Sequence, residues 1–136
     1  MPLGEIELNS KKYKFENQLL SNINTTYNNV TTNATSQVIN CSQYRQVTLG
    51  FDLTKVGTPT DITIIVEISL NGTNYTQLTN GPLSKWIYDD VAVTGGTQRS
   101  FTFPIACQKI RLKVVATGTS AVNTFTMSNA NLYLRD

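Results

Sequence analysis

A chain of 136 residues has the length of one domain, enough to bury about two-thirds of its unfolded surface, so folding requires neither a metal nor a disulfide. Only 15% of residues are charged, against roughly 25% in ordinary soluble domains, and Thr, Asn, Ser and Gln take that place. A net charge of +2 carried by scattered Lys and Arg excludes a nucleic-acid-binding field, and no apolar run approaches the roughly 18–20 residues that cross a bilayer.

Residues 1–35 read as an N-terminal arm, distinct from a β-domain over 36–136. Glu5-Ile6-Glu7-Leu8 and Tyr13-Lys14-Phe15 alternate briefly, and then Asn and Thr dominate, leaving Leu19, Leu20, Ile23, Tyr27 and Val30 as the apolar residues. So thin a pattern does not offset an ordering cost of about 1–2 kcal/mol per residue by itself. The arm must therefore lie on its own domain, on a second copy or on another protein. Ile6, Leu8, Tyr13 and Phe15 are its candidate partner contacts. Lys11-Lys12 with Lys14 is the one basic cluster, read as a solvated face. Met1-Pro2-Leu3-Gly4-Glu5 has neither the basic nor the apolar region of a secretory signal, so a cytoplasmic origin is expected.

From Gln37 onward the pattern turns regular. Val47, Leu49, Phe51 and Leu53 share one face of a strand, and Gly57 with Pro59 ends it. A hairpin is expected to lead from there into Asp61–Ser69. In that stretch Ile62, Ile64, Val66 and Ile68 recur at period two, and β-branched side chains suit a pleated surface. Asn71-Gly72 is a turn signal because both residues tolerate positive φ, and Tyr75–Leu78 returns as a short strand. Trp86-Ile87-Tyr88 reads as an aromatic strand. Phe101, Phe103 and Ile105 alternate in the next strand, Ile110, Leu112, Val114 and Ala116 in the one after. The last strand holds Phe125, Met127, Leu132 and Leu134, with an irregularity at Ser128-Asn129. Helical periodicity is absent. The whole reads as an all-β, two-sheet antiparallel sandwich of about eight strands with an extended N-terminal arm.

Chemistry is limited by inventory. With no His, a Ser or Cys nucleophile lacks its usual base, and the acids Asp52, Asp61, Glu67, Asp89 and Asp90 form no glycosidase pair; Asp52 and Glu67 read as solvated, staggered neighbours on adjacent strands. No enzyme activity and no cofactor are expected. Asp89-Asp90 lacks the ligand pattern of a calcium loop and reads as a loop edge. Six Asn-x-Ser/Thr triplets, beginning at Asn24, reflect composition. Trp86 and Tyr88 share a strand face; buried they are core, exposed they stack on a sugar. Cys41 and Cys107 each precede a strand, and their spacing leaves open a disulfide or two buried thiols; a cytosolic origin favours thiols.

Three blocks carry a resemblance: Val38-Ile39-Asn40-Cys41-Ser42 through Leu49, Val66 to Tyr75 around Asn71-Gly72, and Ile110-Arg111-Leu112 to Thr119. Over Ser36 to Leu134 the chain resembles the jelly-roll β-sandwich of tailed-bacteriophage virion proteins and of galactose-binding-like modules. The resemblance implies a non-enzymatic virion protein assembled in host cytoplasm, of the capsid decoration or minor capsid type. Its expected partners are further copies of itself, as a trimer, and a major capsid or other virion protein, with neither nucleic acid nor membrane. The alternative it implies is a carbohydrate- or receptor-binding module of a tail or fibre, using Trp86 and Tyr88, or a tail or baseplate adaptor.

Overall fold

The structure, a computed structural model, describes residues 3–8, 11–78, 83–87 and 97–136, with side chains over 14–78 and 100–136. Among these residues there are twelve strands and no helix, and the strands form two antiparallel sheets. In chain order they are β1 (Leu3–Leu8), β2 (Lys11–Leu19), β3 (Thr26–Tyr27), β4 (Asn33–Thr35), β5 (Ile39–Asn40) and β6 (Gln46–Val56). The rest are β7 (Asp61–Ser69), β8 (Thr76–Gln77), β9 (Leu83–Ile87), β10 (Thr97–Pro104), β11 (Lys109–Thr117) and β12 (Thr124–Arg135). The excess over about eight is β1–β4, all in the stretch read from the sequence as an arm.

The first sheet runs β1-β2-β12-β6-β10, with β3 also on β12. The second runs β4-β11-β7-β8, with β5 on β11 and β9 on β7. Alternation places the aliphatics between them. Val47, Leu49, Phe51 and Leu53 of β6 face Ile62, Ile64 and Val66 of β7 and Ile110, Leu112 and Val114 of β11, all buried in one core. β7 is central in its sheet, as its near-continuous Ile/Val content requires.

The hairpin expected between β6 and β7 does not form, because the two strands belong to different sheets. β7 pairs along nine residues with β11 instead, from Ser69 opposite Lys109 to Asp61 opposite Thr117. Gly57 makes the crossing at φ +68, where an added Cβ would meet the Val122 carbonyl at 2.7 Å. Asn71-Gly72 does turn the chain, but only Gly72 takes positive φ (+83), while the Asn71 side chain accepts from the Thr73 and Asn74 amides at 2.9 Å.

Residues 15–35 pair and pack with strands of both sheets. β2 pairs β12 from Leu19 opposite Asn131 to Phe15 opposite Arg135, and β4 pairs β11 at the other side of the core. Leu20, Ile23 and Tyr27 have no exposed surface. The sparse apolar residues suffice because they seat at an existing defect. In β12 the register shifts between Ser128 and Asn131, with Asn129 at φ 54, so the buried set passes from Phe125 and Met127 to Ala130, Leu132 and Leu134. The backbone freed by this bulge is taken up by the leader. The Leu20 amide donates to the Ala130 carbonyl at 2.8 Å, and the Ala130 amide donates to the Asn24 side chain at 2.8 Å. From there the chain reaches the second sheet, where Ser36 exchanges bonds with both backbone groups of Leu112.

Candidate functional site

Alternation in four neighbouring strands sends one residue set to the outer face of the first sheet. The registers align three rows across it: Leu19, Asn131, Gly50, Ser100; then Asn17, Tyr133, Thr48, Thr102; then Phe15, Arg135, Gln46, Pro104. Gly50 has no side chain and is flanked by Ser100 and Asn131, so the first row sinks into a groove of about 390 Å³. Gly50, Asp52, Ser100, Asn129, Asn131 and Tyr133 line it.

The groove is polar and its amides are fixed. The Asn129 side-chain amide donates to Asp52 at 2.8 Å, and the Asn131 amide donates to the Asn129 carbonyl at 2.8 Å. The bulge is what aims Asn129 here, since its left-handed backbone turns the strand outward. Beside the groove the hydroxyls of Thr48 and Thr102 share a hydrogen bond of 2.8 Å. Tyr133 is 48% exposed and Leu19 51%, so an aromatic face and an aliphatic edge border the amides. Asp52 is the one carboxylate among the lining residues. Such a surface offers hydrogen bonds and a stacking ring without an acid–base pair.

The residues singled out from the sequence fall in three places. Phe15 lies on this face, 39% exposed, in the corner row. Ile6 is opposite Tyr13 and Leu8 opposite Lys11 in the β1–β2 hairpin, two and four register positions beyond Gly4 and Phe15. Trp86 pairs with Ile62 in the second sheet, far along the chain order from the groove, while Tyr88, Asp89 and Asp90 lie outside the described residues. Asp52 and Glu67 are on different sheets, not on adjacent strands. Glu67 instead accepts from Arg111 Nε at 2.8 Å, and that guanidinium stacks 3.9 Å from the Tyr75 ring centre. The groove residues Gly50, Asn129, Asn131 and Tyr133 were not anticipated. Two signals pointed there: a glycine in the outward row of a strand, and the change of parity in β12. Among the described residues no three His, Cys, Asp or Glu side chains come together.

The two cysteines are free and adjacent, with Sγ atoms 3.0 Å apart; Cys41 is buried and Cys107 half-buried. Sharing a proton with Cys107, together with burial, pushes the Cys41 thiol up, while the same hydrogen bond pulls Cys107 below the ordinary thiol value against its own burial.

No protein-family model and no curated protein matches the chain by sequence. Solved structures do match in shape. A carbohydrate-binding module specific for non-crystalline cellulose, CBM28, is 11% identical with TM-score 0.51, covering 94% of this chain and 78% of that one. The SPBc2 prophage-derived protein YomS is 13% identical with TM-score 0.50, covering 91% of this chain and 95% of that one. The VP2 subviral particle of infectious bursal disease virus is 12% identical with TM-score 0.52, covering 90% of this chain and 32% of that one. At these identities the likeness is one of fold: the chain is a jelly-roll β-sandwich like its neighbours.

Proposed function

We propose that the protein is a non-enzymatic structural component of a virus or phage particle, a capsid decoration or minor capsid protein that braces neighbouring subunits. The observation that carries this reading is the overhang of the β1–β2 hairpin. β12 ends opposite Phe15, and Asp136 reaches only Lys14, so Lys11–Tyr13 and the facing half of β1 extend beyond the sheet. Glu5 stands opposite Lys14 and Glu7 opposite Lys12, alternating in register with the pair Ile6 and Tyr13. Opposed positions of an antiparallel pair belong to one face, so the register sets Glu5 and Glu7 opposite lysines on one face and places Gly4, Phe15, Ile6, Tyr13 and Leu8 with Lys11 on the other. A two-stranded ribbon is marginal in water without a surface to cover it, and β1 has only β2 as a strand partner among the described residues. A neighbouring subunit supplies that surface, either a further copy in a trimer or the major capsid protein. The prophage-derived and viral-particle neighbours support the reading at the level of fold.

Removal of residues 1–10 tests it. The sandwich should stay folded by circular dichroism, while the mass in solution by light scattering and co-sedimentation with particles both fall. Unchanged mass together with undiminished particle binding would overturn the proposal.

The groove favours a second reading, a carbohydrate- or receptor-binding module of a tail or fibre. Fixed amides beside an exposed Tyr133 suit the hydroxyls and apolar face of a sugar ring. Here the truncated protein keeps its ligand, and Tyr133→Ala loses it. A glycan array on which Tyr133→Ala and the parent bind alike, or on which neither binds, removes this reading.

A further inference from the structure

We infer that Cys41 and Cys107 form a disulfide-modification site, an internal latch that closes when the folded chain meets a low-molecular-weight disulfide. The backbone holds the two sulfurs face to face from both sides. The Cys41 amide donates to the Gln108 carbonyl at 2.9 Å, and the Ile105 amide donates to the Arg45 carbonyl at 2.9 Å, so residues 41–45 and 105–108 are tied at each end of the pair. The Tyr44 amide closes a turn on the Cys41 carbonyl at 3.0 Å, and the Gln108 amide anchors to Ser69 at 2.9 Å. Between these ties the Sγ atoms lie 3.0 Å apart, and the Cys41 thiol also reaches the Cys107 carbonyl at 3.2 Å. Little backbone movement separates this contact from a bond, because disulfide geometry is met only when the chain already presents both sulfurs.

The two thiols have unequal roles. Cys107 is half-buried and Cys41 wholly buried, so Cys107 is the accessible nucleophile. Cys41 has no exposed surface and is the resolving thiol. In the first step the Cys107 thiolate attacks one sulfur of oxidised glutathione, forming a mixed disulfide and expelling one glutathione thiolate. That thiolate, or water, takes the Cys41 proton. The Cys41 sulfur then attacks Cys107 Sγ and expels the second glutathione, so two protein thiols are oxidised and one glutathione disulfide is reduced to two thiols. The bond would close a loop 66 residues long, spanning the crossover between the sheets. Loop closure of that length raises the melting midpoint by about 10 °C.

The test equilibrates the native protein with glutathione at graded reduced-to-oxidised ratios, followed by acid quench, unfolding, N-ethylmaleimide labelling and intact mass. The expected result is a monomer lighter by two hydrogens that takes no label at the oxidised end and two labels at the reduced end. Cys41→Ser should stall as a glutathione adduct at Cys107, while Cys107→Ser should stay unmodified on the same timescale. Two labels at every ratio with the fold intact would overturn the inference, as would a bond that joins two chains. Equal adduct formation on both variants would overturn the assigned order of attack. Should a serine variant fail to fold, the parent titration decides the latch alone.

Discussion

Replacing Ile23 by Ala measures whether the leader is part of the sandwich. Ile23 has no exposed surface, its amide bonds to Leu20 at 3.2 Å, and its carbonyl accepts the Tyr27 hydroxyl at 2.9 Å. The substitution deletes three buried carbons. At about 0.8 kcal/mol each the transfer loss is about 2.4 kcal/mol, and the cavity left in a close-packed interior adds about 1 more. The expected destabilisation is thus about 3–4 kcal/mol. With a urea slope of about 2 kcal/mol per molar, the midpoint falls by about 1.5–2 M while the slope stays constant. Val30→Ala, seven residues on at a side chain 84% exposed, should move it by less than about 0.5 kcal/mol. Equal, small shifts for the two variants would mean that the leader is not docked, and the account of the core would fail with it.

Four further outcomes follow from the same structure. Burial holds the Tyr27 phenol above its ordinary value near 10, so the folded state keeps a proton that the unfolded chain loses above that pH. Stability should therefore decline from about pH 10 upward, and Tyr27→Phe, while costing about 1–2 kcal/mol at pH 7, should flatten that decline by up to about 1.4 kcal/mol per pH unit in alkaline urea titrations. Gly118→Ala should cost about 2 kcal/mol or more, because φ is +66 and the new Cβ meets the Thr60 amide nitrogen at 2.8 Å; thermal melts read it directly. Gly50→Thr should fill the groove without touching the core, since Gly50 has no positive φ, and raise stability by about 0.5–1 kcal/mol while abolishing any groove ligand in a binding titration. Arg111→Met should lose about 1 kcal/mol at low salt and less at high salt in paired denaturation curves, because its partner Glu67 is partly exposed and its stacking on Tyr75 is only partly kept by a thioether.

Where alternation was sustained, the sequence was a sufficient guide. β6, β7, β11 and the two halves of β12 bury the residues their patterns nominate, Ile68 only in part, and the irregularity at Ser128-Asn129 is the register shift itself. Pairing was another matter. Nothing in β6 or β7 says which sheet each joins, because a strand with one aliphatic face packs equally well beside or across from its neighbour. Which of its three possible seats the leader takes was undecided for a similar reason. Leu20, Ile23 and Tyr27 have no common period, since they dock on a bulge and not along a strand. The groove was hidden because Gly50, Asn129, Asn131 and Tyr133 are distant in sequence and become one surface only through three registers.

The position of β12 between β2 and β6 has a consequence for vectorial synthesis. Thr124–Arg135 fill the middle of a sheet whose edge strands β1 and β2 are made more than a hundred positions earlier, and Lys14 meets Asp136 across 122 positions. While the ribosome still holds Thr124–Arg135, β2 has no seat and the bulge that receives Leu20 does not exist. This sheet is therefore completed only once residues through Arg135 are exposed, and slowly for the size of the chain because its contacts are distant. A nascent chain stalled short of Thr124 should accordingly be digested by protease, and one extended past Asp136 by a long linker should resist.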